Sequence, residues 1–238
     1  MNIVCIIQAR MSSSRFPGKV MMEIMNKPIL EHIVSFLKFS KLIDKIVIAT
    51  SSNEEDDVIA NLANLLKVSC YRGTLDDVLK RYYDCATQFN ADLIVRITAD
   101  NPLIDPELVD RVIEISRKSG CDYASNMIHQ TYPSGYLVET LRYSTLEHIH
   151  KFHHDSLSRE HVTFHIRENP TEYNIEEIYA PKEMQRPNWR LTLDYNYDFN
   201  LLSEIFLKLY KKNSYIKYEQ VFTLLEKNPT LLKVNHLK

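Results

Sequence analysis

Glycine is nearly missing from this chain. Four residues in 238 fall far below the usual share of about 7%, which leaves no room for a glycine-rich linker. Three of the four, Gly18, Gly73 and Gly135, sit in loops that other features single out, while Gly120 follows Lys118-Ser119 as a plain helix stop. Net charge is scarce too. The 29 basic and 31 acidic side chains leave −2 at neutral pH, which gives no support to bulk binding of nucleic acid or of a membrane. No apolar run reaches the ~18 residues of a membrane span, and Asn2–Ile7 is too short for a secretory leader core, so the expected location is the cytoplasm. Cys5, Cys70, Cys85 and Cys121 show no C-x-x-C spacing. They are expected to be core thiols in a reducing compartment rather than catalytic groups.

Against this background one stretch stands out. Gln8-Ala9-Arg10-Met11-Ser12-Ser13-Ser14-Arg15-Phe16-Pro17-Gly18-Lys19 carries three cations, three hydroxyls and a Pro-Gly turn, with no acidic residue. A basic loop in a neutral protein points to a small anionic ligand. Guanidinium and ammonium groups supply charge-assisted hydrogen bonds, and Gly18 lets the backbone come close. The loop is neither G-x-x-x-x-G-K-[ST] nor G-x-G-x-x-G, which sets aside P-loop NTPases and Rossmann dehydrogenases.

The surrounding pattern alternates strand and helix. Buried strands are expected at Asn2–Ile7, Lys45–Thr50, Leu66–Tyr71 and Asp92–Thr98. Pro28 can open a helix with Leu30, Ile33, Val34 and Leu37 on one face; Ser52 can cap Glu54–Leu65. Thr74 with Asp77 suggests a capping box for Leu75–Phe89, and Asp105-Pro106 opens a further helix. This order predicts a three-layer α/β/α protein with a mostly parallel sheet and a ligand at the carboxyl ends of its strands. Residues 129–170 break the rhythm and hold seven of the nine histidines, as expected of an arm inserted into a single domain spanning 1–238. The α/β pattern resumes at Tyr173–Tyr179, with a strand at Trp189–Leu193 and a helix from Phe199 to about Lys211.

A triphosphate needs cations from the protein and commonly Mg²⁺, which takes one or two carboxylates plus phosphate oxygens. Asp100 and Asp194 stand where predicted strands end. Each could instead be a turn former. The histidine pairs His150/His154 and His161/His165 lack the H-E-x-x-H order of a zincin; arm packing, acceptor contacts or an oligomer interface are the expected roles.

Several motifs resemble one family in order. Strand–Q-A-R-x-x-S-x-R-x-P-G-K is similar to the N-terminal signature of the cytidylyltransferases that activate sugar acids, the CMP-KDO and CMP-sialate synthetases, and above all to their SpsF-like branch. Tyr71-Arg72-Gly73-Thr74-Leu75-Asp76-Asp77-Val78-Leu79-Lys80-Arg81-Tyr82 resembles that branch's Y-R-G-x-x-x-D-V-L-x-R-Y. Val95–Pro102, Arg159–Thr163 and Arg190–Asp194 resemble V-R-x-T-x-D-x-P, R-E-H-V-T and R-L-T-x-D. The resemblance implies the Rossmann-like nucleotide-diphospho-sugar transferase fold with a mixed sheet. It also implies CMP transfer from CTP with release of pyrophosphate, in cell-surface polysaccharide synthesis. By this resemblance Arg10, Lys19, Asp100 and Asp194 are the catalytic set, and Asp100 and Asp194 hold Mg²⁺. Ala9, Arg10, Arg15, Gly18, Lys19, Arg72, Gly73, Thr74, Arg96, Thr98 and Asp100 bind the nucleotide. Arg159, His161 and Glu139 meet a small anionic acceptor, a sugar acid or a phosphorylated or phosphonate compound, and the arm pairs two copies into a homodimer. One departure is visible: Tyr132-Pro133-Ser134-Gly135-Tyr136-Leu137-Val138-Glu139 has Leu137 where the branch commonly shows Asp. A glycosyltransferase of the same general fold and a non-catalytic nucleotide-binding protein are the rival readings. The first usually carries D-x-D, which neither Asp100 nor Asp194 provides.

Overall fold

The computed structural model describes residues 1–236. Its elements run β1 (Ile3–Gln8), a small hairpin of β2 (Glu23–Ile24) and β3 (Lys27–Pro28), α1 (Ile29–Leu37), β4 (Lys45–Ser51), α2 (Asp57–Leu65), β5 (Ser69–Gly73), α3 (Val78–Gln88), β6 (Leu93–Thr98) and α4 (Pro106–Ser119). Then follow β7 (Tyr123–Ser125), β8 (Glu139–Arg142), α5 (Tyr143–Phe152), α6 (Ser156–His161), α7 (Phe164–Glu168), β9 (Ile175–Glu177), α8 (Asn196–Leu209) and α9 (Tyr218–Lys227). Seven strands form one sheet in the order β5-β4-β1-β6-β8-β7-β9. The run from β5 to β6 is parallel, β8 is antiparallel to both neighbours, and β7 pairs with β9 in parallel. The sheet is therefore mostly parallel but mixed, with helices on both faces.

Both faces are buried, which is why the strands read as continuous apolar runs. In β1, Ile3, Cys5 and Ile7 join the core under α1, α2, α4, α8 and α9, while Val4 and Ile6 join the core under α3, α5 and α7. The α1 face is the expected one, with Leu30, Ile33, Val34 and Leu37 at 0–1% exposure. Asp105 caps α4 by accepting from the Glu107 and Leu108 amides, and Gly120 ends it in the left-handed region (φ +68°).

Local details differ where apolar runs hide a boundary. Leu66 closes α2 and Lys67 turns with φ +55°, so β5 starts at Ser69 rather than Leu66. Ser52 does not cap: a short 3₁₀ turn, Glu54–Asp56, leads into α2. Asp77 is itself the cap of α3, accepting from the Lys80 amide at 2.9 Å, and the helix starts at Val78. Trp189–Leu193 joins no strand of the sheet; its bridge, Arg190 to Ser134, lies outside the strands. Residues 139–142, inside the segment read as an arm, form a strand of the main sheet.

Candidate active site

The basic loop leaves the carboxyl end of β1, in the middle of the sheet. The Ala9 amide donates to Ala49 O (3.2 Å) and the Ala99 amide to Gln8 O (3.0 Å), so the starts of two site loops are fixed one rung beyond the strands. The loop is anchored from below by Asp56, which accepts from the Met11 amide (2.7 Å) and from the Ser51 amide and hydroxyl (3.0 and 2.5 Å). Burial pushes the Asp56 carboxyl up, but these hydrogen bonds outweigh it and hold the group below the usual carboxylate range. Ser13 and Gly18 amides both donate to Met11 O (2.8 and 2.9 Å), which closes the loop on itself. Gly18 takes φ +73°, a conformation cheap only for glycine, and the turn it makes sends Lys19 inward.

Lys19 is the centre of the arrangement. Its side chain is nearly buried, and Nζ donates to Leu193 O at 2.7 Å while lying 3.2 Å from Asp194 Oδ1 and 3.4 Å from Asp100 Oδ2. Arg15 reaches the same Asp194 oxygen at 2.8 Å. Each carboxylate is steered by the threonine two residues before it: Thr98 Oγ1 donates to Asp100 Oδ1 (2.6 Å) and Thr192 Oγ1 to Asp194 Oδ2 (3.3 Å). The Leu193 amide donates to Asp100 O at 2.8 Å, tying the two aspartate segments together. Asp198, fully buried, accepts from the Asp194 and Tyr195 amides at 2.9 Å and pairs with Arg190.

Two carboxylates converge stably only around positive charge. Here an ammonium fills that position. The donor set also suits Mg²⁺, which takes hard oxygens, few of them from protein, and completes its shell with phosphate and water. Among the described residues no group of three or more His, Cys, Asp and Glu could by itself hold a metal ion.

Ala9, Arg10, Arg15, Lys19, Arg96, Thr98, Asp100 and His161 line one cavity of about 390 Å³. Gln8, Ser13, Ser14, Val20, Val78, Ala99 and Glu160 complete the wall, and none of these is among the individually expected site residues. The three hydroxyls in the loop were the available signal for the serines, and the repeated Thr-x-Asp spacing for Thr192.

Other expected site residues lie elsewhere. Arg72 spends its guanidinium on Ser51 O (3.0 Å), Asn53 O (2.7 Å) and Asp57 (2.5 Å), fastening the β4–α2 connection. Thr74 O accepts from the buried Arg81 (2.6 Å), and a Cβ on Gly73 would meet Tyr71 at 3.0 Å and Arg81 at 3.2 Å. The Arg72–Thr74 turn therefore supports the site from outside the cavity and does not wall it. Arg159 pairs with Asp77 and donates to His150 O (3.2 Å), clamping α6 to the start of α3.

Glu139 is no acceptor contact. It is 0% exposed, paired through Oε2 with Arg96, and accepts at Oε1 from Tyr123 (2.5 Å) and Thr163 (2.6 Å). Burial raises its pKa, but the Arg96 charge and the Thr163 and Tyr123 hydroxyls prevail and hold it below the ordinary glutamate value. Arg96 stands opposite Glu139 in the β6–β8 register, so the pair joins these strands beneath the cavity.

A model of the cytidylyltransferase family matches residues 4–228. A protein of Methanocaldococcus jannaschii whose name states no function is 37% identical over 237 residues, covering 99% of this chain and 95% of its own length. The spore coat polysaccharide biosynthesis protein SpsF of Bacillus subtilis is 31% identical, over 96% of this chain and 95% of its own. A cytidylyltransferase of Leptospira borgpetersenii superposes with a TM-score of 0.92 at 29% identity, over 98% of this chain and 97% of that one. CMP:2-keto-3-deoxy-manno-octonic acid synthetase, solved with CTP, shares the fold at a TM-score of 0.67 and 15% identity, over 87% and 99%. On the family match, the full-length relatives and the strand-end site together, this chain belongs to the cytidylyltransferase family and is a nucleotidyltransferase.

Proposed function

We propose that the protein transfers CMP from CTP to an oxygen of a small acceptor, releasing pyrophosphate, in the assembly of a cell-surface polysaccharide. The observation that carries this reading is the Lys19 ammonium held between Asp100 and Asp194 at the edge of a cavity walled by Arg10 and Arg15. The family supports CTP as donor, and the polysaccharide role named for SpsF supports the pathway class.

In the reaction an acceptor oxygen forms a bond to the α-phosphorus, the bond from that phosphorus to the bridging oxygen breaks, and pyrophosphate departs with the electron pair. Arg10, Arg15 and Lys19 neutralise the charge that builds on the leaving group. Asp100 and Asp194 would hold Mg²⁺, which shields the triphosphate and acidifies a bound hydroxyl. Thr98 and Thr192 keep both carboxylates aimed. The Ala9 amide is committed to Ala49, which leaves the Ala9 carbonyl and the Arg10 amide to select cytosine. Because little covalent work falls to side chains, rate comes from in-line positioning and charge stabilisation.

The test is pyrophosphate release with each of CTP, UTP, ATP and GTP, Mg²⁺ and pooled acceptors. CTP alone is expected to give product; equal turnover with ATP or GTP would overturn the base assignment.

A further inference from the structure

One side chain on the wall of the nucleotide cavity is delivered by a strained stretch of backbone. His161 ends α6, and the chain passes through Val162 and Thr163 before α7 begins at Phe164. Val162 has φ +46° and ψ −60°, a conformation that a β-branched residue adopts only when its surroundings impose it. The Thr163 amide donates back to His161 O, which closes a three-residue γ-turn around Val162.

The turn is anchored on three sides. Val162 is fully buried and belongs to the same core as Leu146 and Ile149 of α5 and Ile166 of α7. Thr163 is fully buried too, and its hydroxyl donates to Glu139 Oε1 at 2.6 Å. The second oxygen of Glu139 pairs with Arg96, which also lines the cavity. One buried carboxylate therefore fixes two basic side chains of the site, Arg96 directly and His161 through Thr163. Arg159, two residues before His161, fastens the α6 side by its pair with Asp77. The outcome is a division of labour along four residues: 162 and 163 go into the protein, while Glu160 and His161 stay at the cavity. Arg15, Lys19 and Arg96 are each engaged with a carboxylate. The exposed His161 ring has no hydrogen-bond or ion-pair partner among the described residues.

We propose that His161 contacts the nucleotide, its ring N–H donating to a non-bridging phosphate oxygen, and that Val162 and Thr163 are positioning residues that hold it there. Phosphate is the part of the nucleotide that this wall suits. His161 shares the cavity with Arg10, Arg15, Lys19 and Arg96, which outnumber the carboxylates Asp100 and Glu160. An imidazole keeps at least one N–H whether neutral or protonated, so the contact does not depend on its charge. Backbone strain persists where packing and hydrogen bonds over-determine it, and here it is kept where a side chain must be aimed. This departs from the acceptor contact expected of His161 from the sequence. The inference rests on the nucleotidyl-transfer reading above.

Calorimetric binding of CTP with Mg²⁺, and its displacement by inorganic tripolyphosphate, test this in wild type and His161→Ala. The dissociation constant of CTP and the inhibition constant of tripolyphosphate are each expected to rise about tenfold or more in the variant. Thr163→Val removes the hydroxyl that reaches Glu139 and is expected to weaken CTP about threefold or more, with Thr163→Ser within about twofold of wild type. In the His161→Ala background Thr163→Val should add less than about twofold, because it acts through the imidazole already lost. Equal losses in both backgrounds would overturn the positioning role and mark Thr163 as structural alone. His161 is exposed, so His161→Ala decides the contact even where Thr163→Val fails to fold. CTP binding unchanged in His161→Ala would overturn the inference and leave nucleotidyl transfer standing. So would CTP weakened without tripolyphosphate, or tripolyphosphate that does not displace CTP from wild type. Wild type that binds no CTP would remove the transfer reading, and the inference with it.

Discussion

Replacing Glu139 by Gln removes one partner of the most buried ion pair near the site. Arg96, as a guanidinium, would keep its charge at neutral pH, but it would lose the carboxylate that offsets its burial and face a neutral amide on the adjacent strand. Breaking a buried pair in this way costs about 3–5 kcal/mol. Against a typical stability of about 5–15 kcal/mol that is a large share. At about 3 kcal/mol per molar urea, the upper end for domains, the unfolding midpoint should fall by about 1–2 M. The pH dependence carries a sign. The folded pKa of Glu139 lies below the unfolded value of about 4.3, so its contribution is full above that value and is lost as pH falls through the folded pKa. The stability gap between wild type and Glu139→Gln should therefore be flat from pH 5 upward and close below about pH 4. Urea titrations followed by tryptophan fluorescence at several pH values measure it. A gap under about 1 kcal/mol at pH 7, or one that widens in acid, would refute the buried-pair account.

Other perturbations follow from the same geometry. Gly135→Ala forces a Cβ against the Leu191 backbone in a left-handed conformation, and a loss of about 2 kcal/mol or more is expected. Calorimetry should register it, and a wild-type melting curve would show that the close approach is not required. Burial pushes the Cys85 thiol up to about 12 and raises that of Cys5 as well. Neither should react with Ellman's reagent at pH 8 until the protein unfolds; fast labelling of either in the folded enzyme would contradict their place in the core.

The cationic loop was legible because its message is local: Arg10, Arg15, Gly18 and Lys19 lie within ten residues, and the absence of acid among them is plain. Asp100 was readable through the strand-end rule, whereas Asp194 reaches it because the Leu193 amide donates to Asp100 O, not because a sheet strand ends there. Lys19 between them was not readable, because its position depends on the inward turn at Gly18 and on the Leu193 carbonyl. Glu139 misled for a related reason. Its role is fixed by the antiparallel register of β8 on β6, which brings Arg96 opposite across 43 positions, and no local pattern encodes that pairing. Leu66 and Val68 suit both a helix end and a strand start, so the β5 boundary could not be placed by periodicity. Trp189–Leu193 has strand composition but pairs with loop residues, Ser134 and Asp100, rather than with a strand of the sheet. Arg72 was expected at the nucleotide by resemblance of its motif, and the motif carries no sign of the Ser51 and Asn53 carbonyls that capture its guanidinium.

The central claim is that Asp100 and Asp194 serve one reaction centre together with Lys19. The most direct measurement is pyrophosphate release from CTP and Mg²⁺ by wild type, Asp100→Asn and Asp194→Asn, with circular dichroism confirming that each variant is folded. The account predicts a loss of about 10²–10³-fold or more in kcat for each variant, with CTP still preferred over ATP in what remains. Folded variants that stay within about tenfold of wild type, roughly 1.4 kcal/mol in barrier, would contradict it.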